Sequence, residues 1–322
     1  MSYELIFGEE QKILIKVVGV GNAGGNAINY MIDSGMQGVD FVAIDTDAQA
    51  LETRVAGATF CISEESISNG LKKGVQPGLV RQAIQEDSGK MTEYLRDADL
   101  VFIIAGMGGE AGTSIAPAVA QVAREKGALT VGIVTEPFAI EGIPRMHHAR
   151  VGISELRKHV DVLIIIKNQR LLADYSNDIL LPEAFAKSDE VLMQATRGIA
   201  DLLTVPWIIE FWLSDMKYIF SDGGDTIMGV GAHRGENRAI KAAMMALEKP
   251  LFEEVSIEAA EQILVNFTGD SNLGLDEVHE AMWLIYEEVG REENISFGMA
   301  LDESLAGEIR VTIFATGFSL ID

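Results

Sequence analysis

The sequence predicts an α/β fold: a parallel sheet with helices on both faces, a long central helix, and a smaller α+β half beyond it. Three observations carry this. Apolar runs rich in Val and Ile recur through the first half without the alternation of a one-sided strand, so they read as strands buried on both faces. Helical spacings follow several of them, the rhythm of parallel strands joined by crossover helices. One unbroken helical pattern, Pro182 to Thr204, then separates this half from a stretch of different character.

The elements follow in order. Ile13 to Val20 is the first strand, and Ala27, Ile28, Met31 and Ile32 fall on one helical face after it. Phe41 to Ile44 is a second strand. Leu100 to Ala105 is a third, followed at helical spacing by Ile115, Ala116, Val119, Ala120 and Ala123. Leu129 to Val134 and Val162 to Ile166 are the fourth and fifth, with a helix expected around Gly152 to His159 between them. The central helix buries Ala184, Phe185, Val191, Leu192, Ala195, Ile199, Leu202 and Leu203. Beyond Pro206, strands are expected at Thr226–Val230, Gln262–Phe267, Ile295–Leu301 and Glu308–Ala315. Val278, Ala281, Met282, Ile285 and Val289 form a helix face between two of them. The expected division is 1–181, 182–205 and 206–322.

Composition narrows the function. The 322 residues hold 25 Lys and Arg against 49 Asp and Glu, a formal charge of −24, which disfavours broad binding to nucleic acid. At 48% hydrophobic and 23% charged, the chain has enough apolar surface to offset its conformational entropy and is no disordered segment. The one cysteine, Cys61, allows no intrachain disulfide, fits a reducing compartment, and reads as a small core residue. The N-terminus lacks a signal pattern, and the longest apolar run, Leu100 to Gly106, is far short of the ~20 residues that span a bilayer. A soluble, cytoplasmic protein with no direct membrane insertion is expected.

Two glycine loops carry the chemistry. Gly19-Val-Gly21-Asn22-Ala-Gly24-Gly25-Asn26 follows a strand and opens a helix, where bare backbone and helix dipole favour an anion. With Asp45 about 20 residues on, it also satisfies a dinucleotide fingerprint, so an NAD-dependent oxidoreductase stays open at this point. Gly106-Met-Gly108-Gly109-Glu110-Ala-Gly112-Thr113-Ser114 repeats the arrangement, and two such loops can grip a chain of phosphates from two sides. No G-x-x-x-x-G-K-[ST] occurs, which excludes an ordinary P-loop NTPase. No Cys/His cluster has zinc spacing, and His147 and His148 point to opposite sides of a helix, so no metal site is assigned.

These loops resemble those of the FtsZ family, the bacterial relatives of tubulin. So do Asp45–Leu51, Thr130–Phe138, Glu141–Arg145, Asn168-Gln-Arg170, Asp189-Glu190, Thr204-Val-Pro206 and the closing Asp302–Phe318, all in order from about Ile13 to Phe318. The resemblance implies a Rossmann-like GTP-binding domain over 1–181, the central helix, and a C-terminal domain. It also implies GTP or GDP with Mg²⁺, and subunits that stack head to tail into a homopolymer. By position, Gly21, Asn22, Gly24, Gly25 and Asn26 would lie along the nucleotide. Gly108, Gly109, Gly112 and Thr113 would hold its β and γ end, and Glu141 and Arg145 its ribose and phosphate. Asn168, Phe185 and Asp189 would form the guanine pocket. A carboxylate and an amide match the guanine edge while a ring stacks on its face. Taken without the resemblance, Phe185 reads as core and Asp189 as a solvated helix face.

Three departures from the family pattern matter. Glu110, Ala111 and Ser114 interrupt the second glycine loop, and Glu110 either faces the phosphates or points to solvent. Lys72 and Lys73 stand where a further glycine loop is replaced. After the central helix, where FtsZ carries N-x-D-x-x-D to polarise the water in the neighbour's site, Glu210 replaces the Asn, Trp212 replaces the first Asp, and Asp215 alone is kept. An indole cannot accept a proton, and losing a positioned acid or base costs roughly 10²–10⁴ in rate. The expected function is therefore a filament-forming guanine-nucleotide-binding cytoskeletal protein with slow hydrolysis. The alternative is an active cell-division GTPase whose site is completed by Glu210 and Asp215 of the neighbour. Trp207, Phe211, Trp212 and Leu213 either anchor that subunit contact or pack inside the C-terminal half. The family usually continues into a linker and a peptide that binds a membrane-adaptor protein. This chain stops at Asp322, so that partner is left open.

Overall fold

The computed structural model describes residues 13–62, 89–171, 180–204, 207–209, 212–220, 225–248, 256–290 and 293–318. The chain opens with β1 (Ile15–Val20), α1 (Gly21–Asp33), β2 (Asp40–Asp45), α2 (Ala48–Glu52) and β3 (Ala58–Cys61). Next come α3 (Gly89–Tyr94), β4 (Leu100–Gly106), α4 (Glu110–Glu125), β5 (Leu129–Glu136), α5 (Ile143–Leu156), β6 (Val162–Lys167) and the one-turn α6 (Asn168–Leu171). The central helix is α7 (Leu181–Thr204). Beyond it lie β7 (Trp207–Ile209), α8 (Leu213–Ile219), β8 (Asp225–Arg234), α9 (Arg238–Glu248), β9 (Gln262–Gly269), α10 (Leu275–Val289), β10 (Ile295–Leu301) and β11 (Glu308–Phe318).

Among the described residues, 11 strands form one sheet in the order β3-β2-β1-β4-β5-β6-β8-β11-β9-β10-β7. From β3 to β8 every neighbouring pair is parallel, and antiparallel ladders begin where β11 joins β8 and β9. The strands of the parallel part are mostly apolar because both faces are covered. α1 and α7 lay Ile28, Met31, Leu192, Ile199 and Leu202 on one face, while α4 and α5 lay Ile115, Val119, Ile153 and Leu156 on the other. α9 and α10 cover the C-terminal strands with Ala242, Ala246, Val278 and Ile285. Arg157 at the end of α5 grips Asp225 at the start of β8 through two hydrogen bonds of 2.9 and 3.1 Å, tying the two halves at the point where their strands meet.

Four features differ from expectation or add to it. The helix before β6 begins at Ile143, well ahead of Gly152, because Pro144 sits in its first turn, where a missing N–H costs nothing. The helix α9 adds to the expected elements: its buried face is alanine (Ala239, Ala242, Ala243, Ala246), which lets it lie close against Gly231 of β8. β3 and α2 are too short to leave a periodic signal. Cys61 is exposed rather than core, since it ends the outermost strand β3, whose residues alternate outward. Among the described residues no helix is long and apolar enough to cross a membrane.

Candidate functional site

The C-terminal ends of β1, β4, β5 and β6 open into a cleft of about 610 Å³ lined by residues of both glycine loops, of α5 and of the start of α7. Ligands of open parallel sheets sit outside strand C-termini, where loops diverge. Here β1 and β4 are parallel neighbours with Val20 opposite Ala105, so the two glycine loops emerge side by side. They meet at Gly21 and Gly112: a Cβ on Gly21 (φ +72°) would stand 3.1 Å from the Gly112 nitrogen.

Of the sequence-predicted residues, Gly21, Asn22, Asn26, Gly109, Gly112, Glu141, Arg145, Asn168, Phe185 and Asp189 all line this cleft. Four do not. Gly24 packs under the Ile104 carbonyl, and Gly25 lies beneath the Arg54 guanidinium. The Gly108 N–H donates to the Thr113 hydroxyl at 2.9 Å, and Thr113 is fully buried, so this pair braces the second loop from behind. Gly108 (φ +96°) also presses against Arg145, and His148 Nδ1 lies 3.3 Å from its carbonyl oxygen. Adjacency in sequence gave no hint that His148 would hold this loop.

The far wall comes from α5, α6 and α7. Glu141 accepts the Phe138 N–H at 2.8 Å and pairs with Arg145 at 3.1 Å. Phe138 is buried and meets Phe185 edge to face, with centroids 5.2 Å apart, so Phe185 is braced on one side while remaining 43% exposed. Asn168 is buried and its Oδ1 accepts from Ser188 at 2.8 Å, which leaves the amide N–H₂ group as the free end. Asp189 is neither a solvated nor a neutralised carboxylate: burial pushes it up to about 7, and Arg54 opposes that only in part. The cleft thus presents a carboxylate acceptor, an amide donor and an aromatic face near one another, the complement of a purine edge bearing N–H groups beside a carbonyl.

Glu110 lines the cleft at the first turn of α4, where the helix N-terminus favours a carboxylate. Asp45 also reaches the cleft, but its Oδ1 accepts the Thr46 and Asp47 N–H groups at 2.7 and 3.3 Å. Among the described residues no group of three His, Cys, Asp or Glu is placed to hold a metal ion.

The second candidate locus lies at the other pole. α7 is 24 residues long, and its stretch from Asp189 at the cleft to Thr204 beside Gly38, which precedes β2, rises about 22 Å. Lys217 of α8 donates to the carbonyl of Gly127, ahead of β5, at 3.3 Å. Trp212 and Asp215 therefore sit below the strand N-termini. Trp212 is 63% exposed, not packed inside the C-terminal half, and its N–H donates to Asp215 Oδ2 at 2.9 Å. Within one chain Asp215 does not reach the cleft. Glu210, Phe211, Lys72 and Lys73 lie outside the described residues, and Trp207 is described by its backbone alone.

Comparison with known proteins agrees with this geometry. The GTPase domain of the Tubulin/FtsZ family matches residues 14–176, and the C-terminal domain of the FtsZ family matches 224–319. An FtsZ dimer structure from M. jannaschii is 35% identical, with a TM-score of 0.86, covering 96% of this chain and 89% of that one. A tryptophan-to-tyrosine mutant of M. jannaschii FtsZ is likewise 35% identical, with a TM-score of 0.85 over 95% and 91% of the two chains. CetZ2 from Haloferax volcanii shares the fold at 19% identity, with a TM-score of 0.76 over 96% and 95%. Two glycine loops on adjacent strand tips, a central helix running from cleft to opposite pole, and family matches on both sides of that helix lead to one conclusion: the chain belongs to the tubulin/FtsZ family.

Proposed function

We propose that this chain binds GTP or GDP in the cleft, stacks head to tail with further copies of itself, and hydrolyses GTP slowly. The carrying observation is the separation of parts: the cleft occupies one pole, and the segment with Asp215 and Trp212 the other, beyond the end of α7, which rises about 22 Å from Asp189 to Thr204. Only a second copy stacked on the first brings the two together. The related structures include an FtsZ dimer and a CetZ2 protofilament bound to GTPγS, which supports self-association of this kind.

Gly21, Gly109 and Gly112 cradle the phosphates, Arg145 and Glu141 take the phosphate and ribose side, and Asn168, Phe185 and Asp189 take guanine. Guanine offers N1–H and N2–H₂ to the carboxylate and O6 to the amide, whereas adenine reverses that pattern. Mg²⁺ fits as an ion carried by the phosphates, since it keeps its waters and takes few protein ligands. Glu110 is then a like charge facing the phosphate end. Glu110→Gln is expected to tighten GTP about fivefold when Mg²⁺ is chelated, measured by competition against a fluorescent nucleotide. Unchanged affinity would place Glu110 in solvent.

A second reading keeps a working GTPase of cell division, with Asp215 and Glu210 of the neighbour completing the site. It is favoured by the exposure of Asp215, whose carboxylate is not buried away. Electron microscopy with GTP, with GDP and without nucleotide, paired with phosphate release, tests both readings. Long-lived filaments with little phosphate release support slow turnover. Brisk release supports the second reading. A monomer that carries no guanosine compound overturns both.

A further inference from the structure

We infer that Arg54 is a positioning residue for the nucleoside end of the cleft: by occupying the carbonyl oxygens of Asn22 and Asn26 it turns both amide N–H₂ groups toward a bound nucleotide. Arg54 follows α2 and is not among the residues lining the cleft. Its Nη1 donates to Asn26 Oδ1 and its Nη2 to Asn22 Oδ1, both at 2.6 Å. A guanidinium has donors only, so each amide must offer it oxygen. The nitrogen of each then points the other way, and both residues line the cleft. Nothing in the sequence marks Arg54, which stands 28 and 32 positions from its partners.

The surroundings hold this arrangement in place. Asn22, Asn26 and Asn29 form one stripe of α1 at spacings of four and three. Asn29 clasps the backbone on either side of Arg54, donating to the Thr53 carbonyl at 3.2 Å and accepting the Val55 N–H at 3.1 Å. At Gly25 a Cβ would stand 2.5 Å from Arg54 Nε and 2.8 Å from Cζ, so the guanidinium rests on bare backbone and any side chain there would displace it. Because Asn29 already fastens the segment, the two short bonds from Arg54 are free to serve the cleft.

Arg54 also carries the charge that opposes the upward push of burial on Asp189. The other charged groups that line the cleft with that carboxylate are Glu141 and Arg145, which pair with each other, Glu110 and Asp45. On its own helix Lys187 and Glu190 pair at 2.8 Å. Arg54 therefore acts twice, by geometry on two amides and by charge on Asp189, and different substitutions separate the two.

This inference rests on the guanine-nucleotide reading, and the test keeps the two apart. GDP binding to the full chain is measured from pH 6 to 9 for wild type, Arg54→Met and Arg54→Lys, with thermal unfolding as the folding check. R54M is expected to weaken GDP about tenfold at pH 8.5 and to move the midpoint of its pH dependence upward. R54K keeps the charge but lacks the fork, so the wild-type midpoint returns while most of the affinity loss remains. Where R54M does not fold, Asn26→Asp keeps an oxygen for Arg54 and removes the amide donor, with about a fivefold loss expected. GDP affinity like wild type in R54M or N26D overturns the inference. So does an equal loss in R54M and R54K with an unmoved midpoint, which marks a purely structural role. A wild type that binds no GDP overturns the guanine reading itself.

Discussion

Trp212→Asp is expected to raise GTP turnover in filaments by about a hundredfold. The position begins α8 at the pole opposite the cleft, where a stacked neighbour's nucleotide would meet it, and its indole stands exposed. An indole offers one N–H and no acceptor, so it cannot take a proton from water or orient one as a carboxylate does. The substitution also suits the local backbone. Trp212 is the residue just before the helix, with extended φ and ψ of −97° and 151° and no side-chain cap, and aspartate is a favoured residue there. The variant should therefore fold and gain a capped helix. It should also lose a large apolar anchor, so the critical concentration for assembly should rise. Phosphate release per polymerised subunit and light scattering read the two effects separately. Faster release with weaker assembly is the expected pair. An unchanged rate at matched polymer mass would show that the new carboxylate caps its own helix rather than serving the neighbour, and that the tryptophan is not what slows hydrolysis.

Asp189→Ala should weaken GDP and GTP by about two orders of magnitude, because two charge-assisted hydrogen bonds to the base disappear and guanine N–H groups are left without an acceptor. Asp189→Asn supplies the control for a merely structural role. Its amide accepts from N1–H but opposes the N2 amine with another donor, so guanine stays weak while xanthine, which carries a carbonyl at that position, gains. Titration with GDP and XDP measures the reversal, and a parallel loss for both bases would mean that Asp189 does not face the base.

The same residue predicts a pH dependence. Its carboxyl titrates near 7 in the free protein because burial penalises the charge, and guanine binds the carboxylate. Affinity should be flat above pH 8 and fall about tenfold per unit below about 7. Stability of the nucleotide-free chain moves the opposite way. The folded state holds a proton that the unfolded chain releases near pH 4, so the penalty of burying this carboxylate is relieved as the pH falls through 7.

Much of this was legible beforehand, for identifiable reasons. The two glycine loops announced themselves because their chemistry is local: a strand end, a close turn and a helix start occupy eight consecutive residues in the first and nine in the second. The strands β1, β4, β5 and β6 read clearly because burial on both faces leaves a run that is almost wholly apolar, broken inside by Lys16 of β1 and Thr130 of β5. The reading failed at the helix that Pro144 opens, whose apolar contrast is weak, at the edge strand β3, which is too short to leave a period, and at the alanine-faced α9. Gly108 and Thr113 looked like cleft residues because their spacing matched the loop, yet their bond to each other places them behind it.

The sequence alone determined the order of the principal buried strands and the chemical types gathered at strand ends, because backbone preference and hydrophobic period act over a few residues. Only the tertiary structure decided that Arg54 would reach Asn22 and Asn26, that Asp189 would be buried enough to titrate near neutrality, and that Trp212 would stand exposed at the pole opposite the cleft. Desolvation, charge and exposure are set by whatever the packed chain brings close, and those neighbours come from positions that the local pattern does not link.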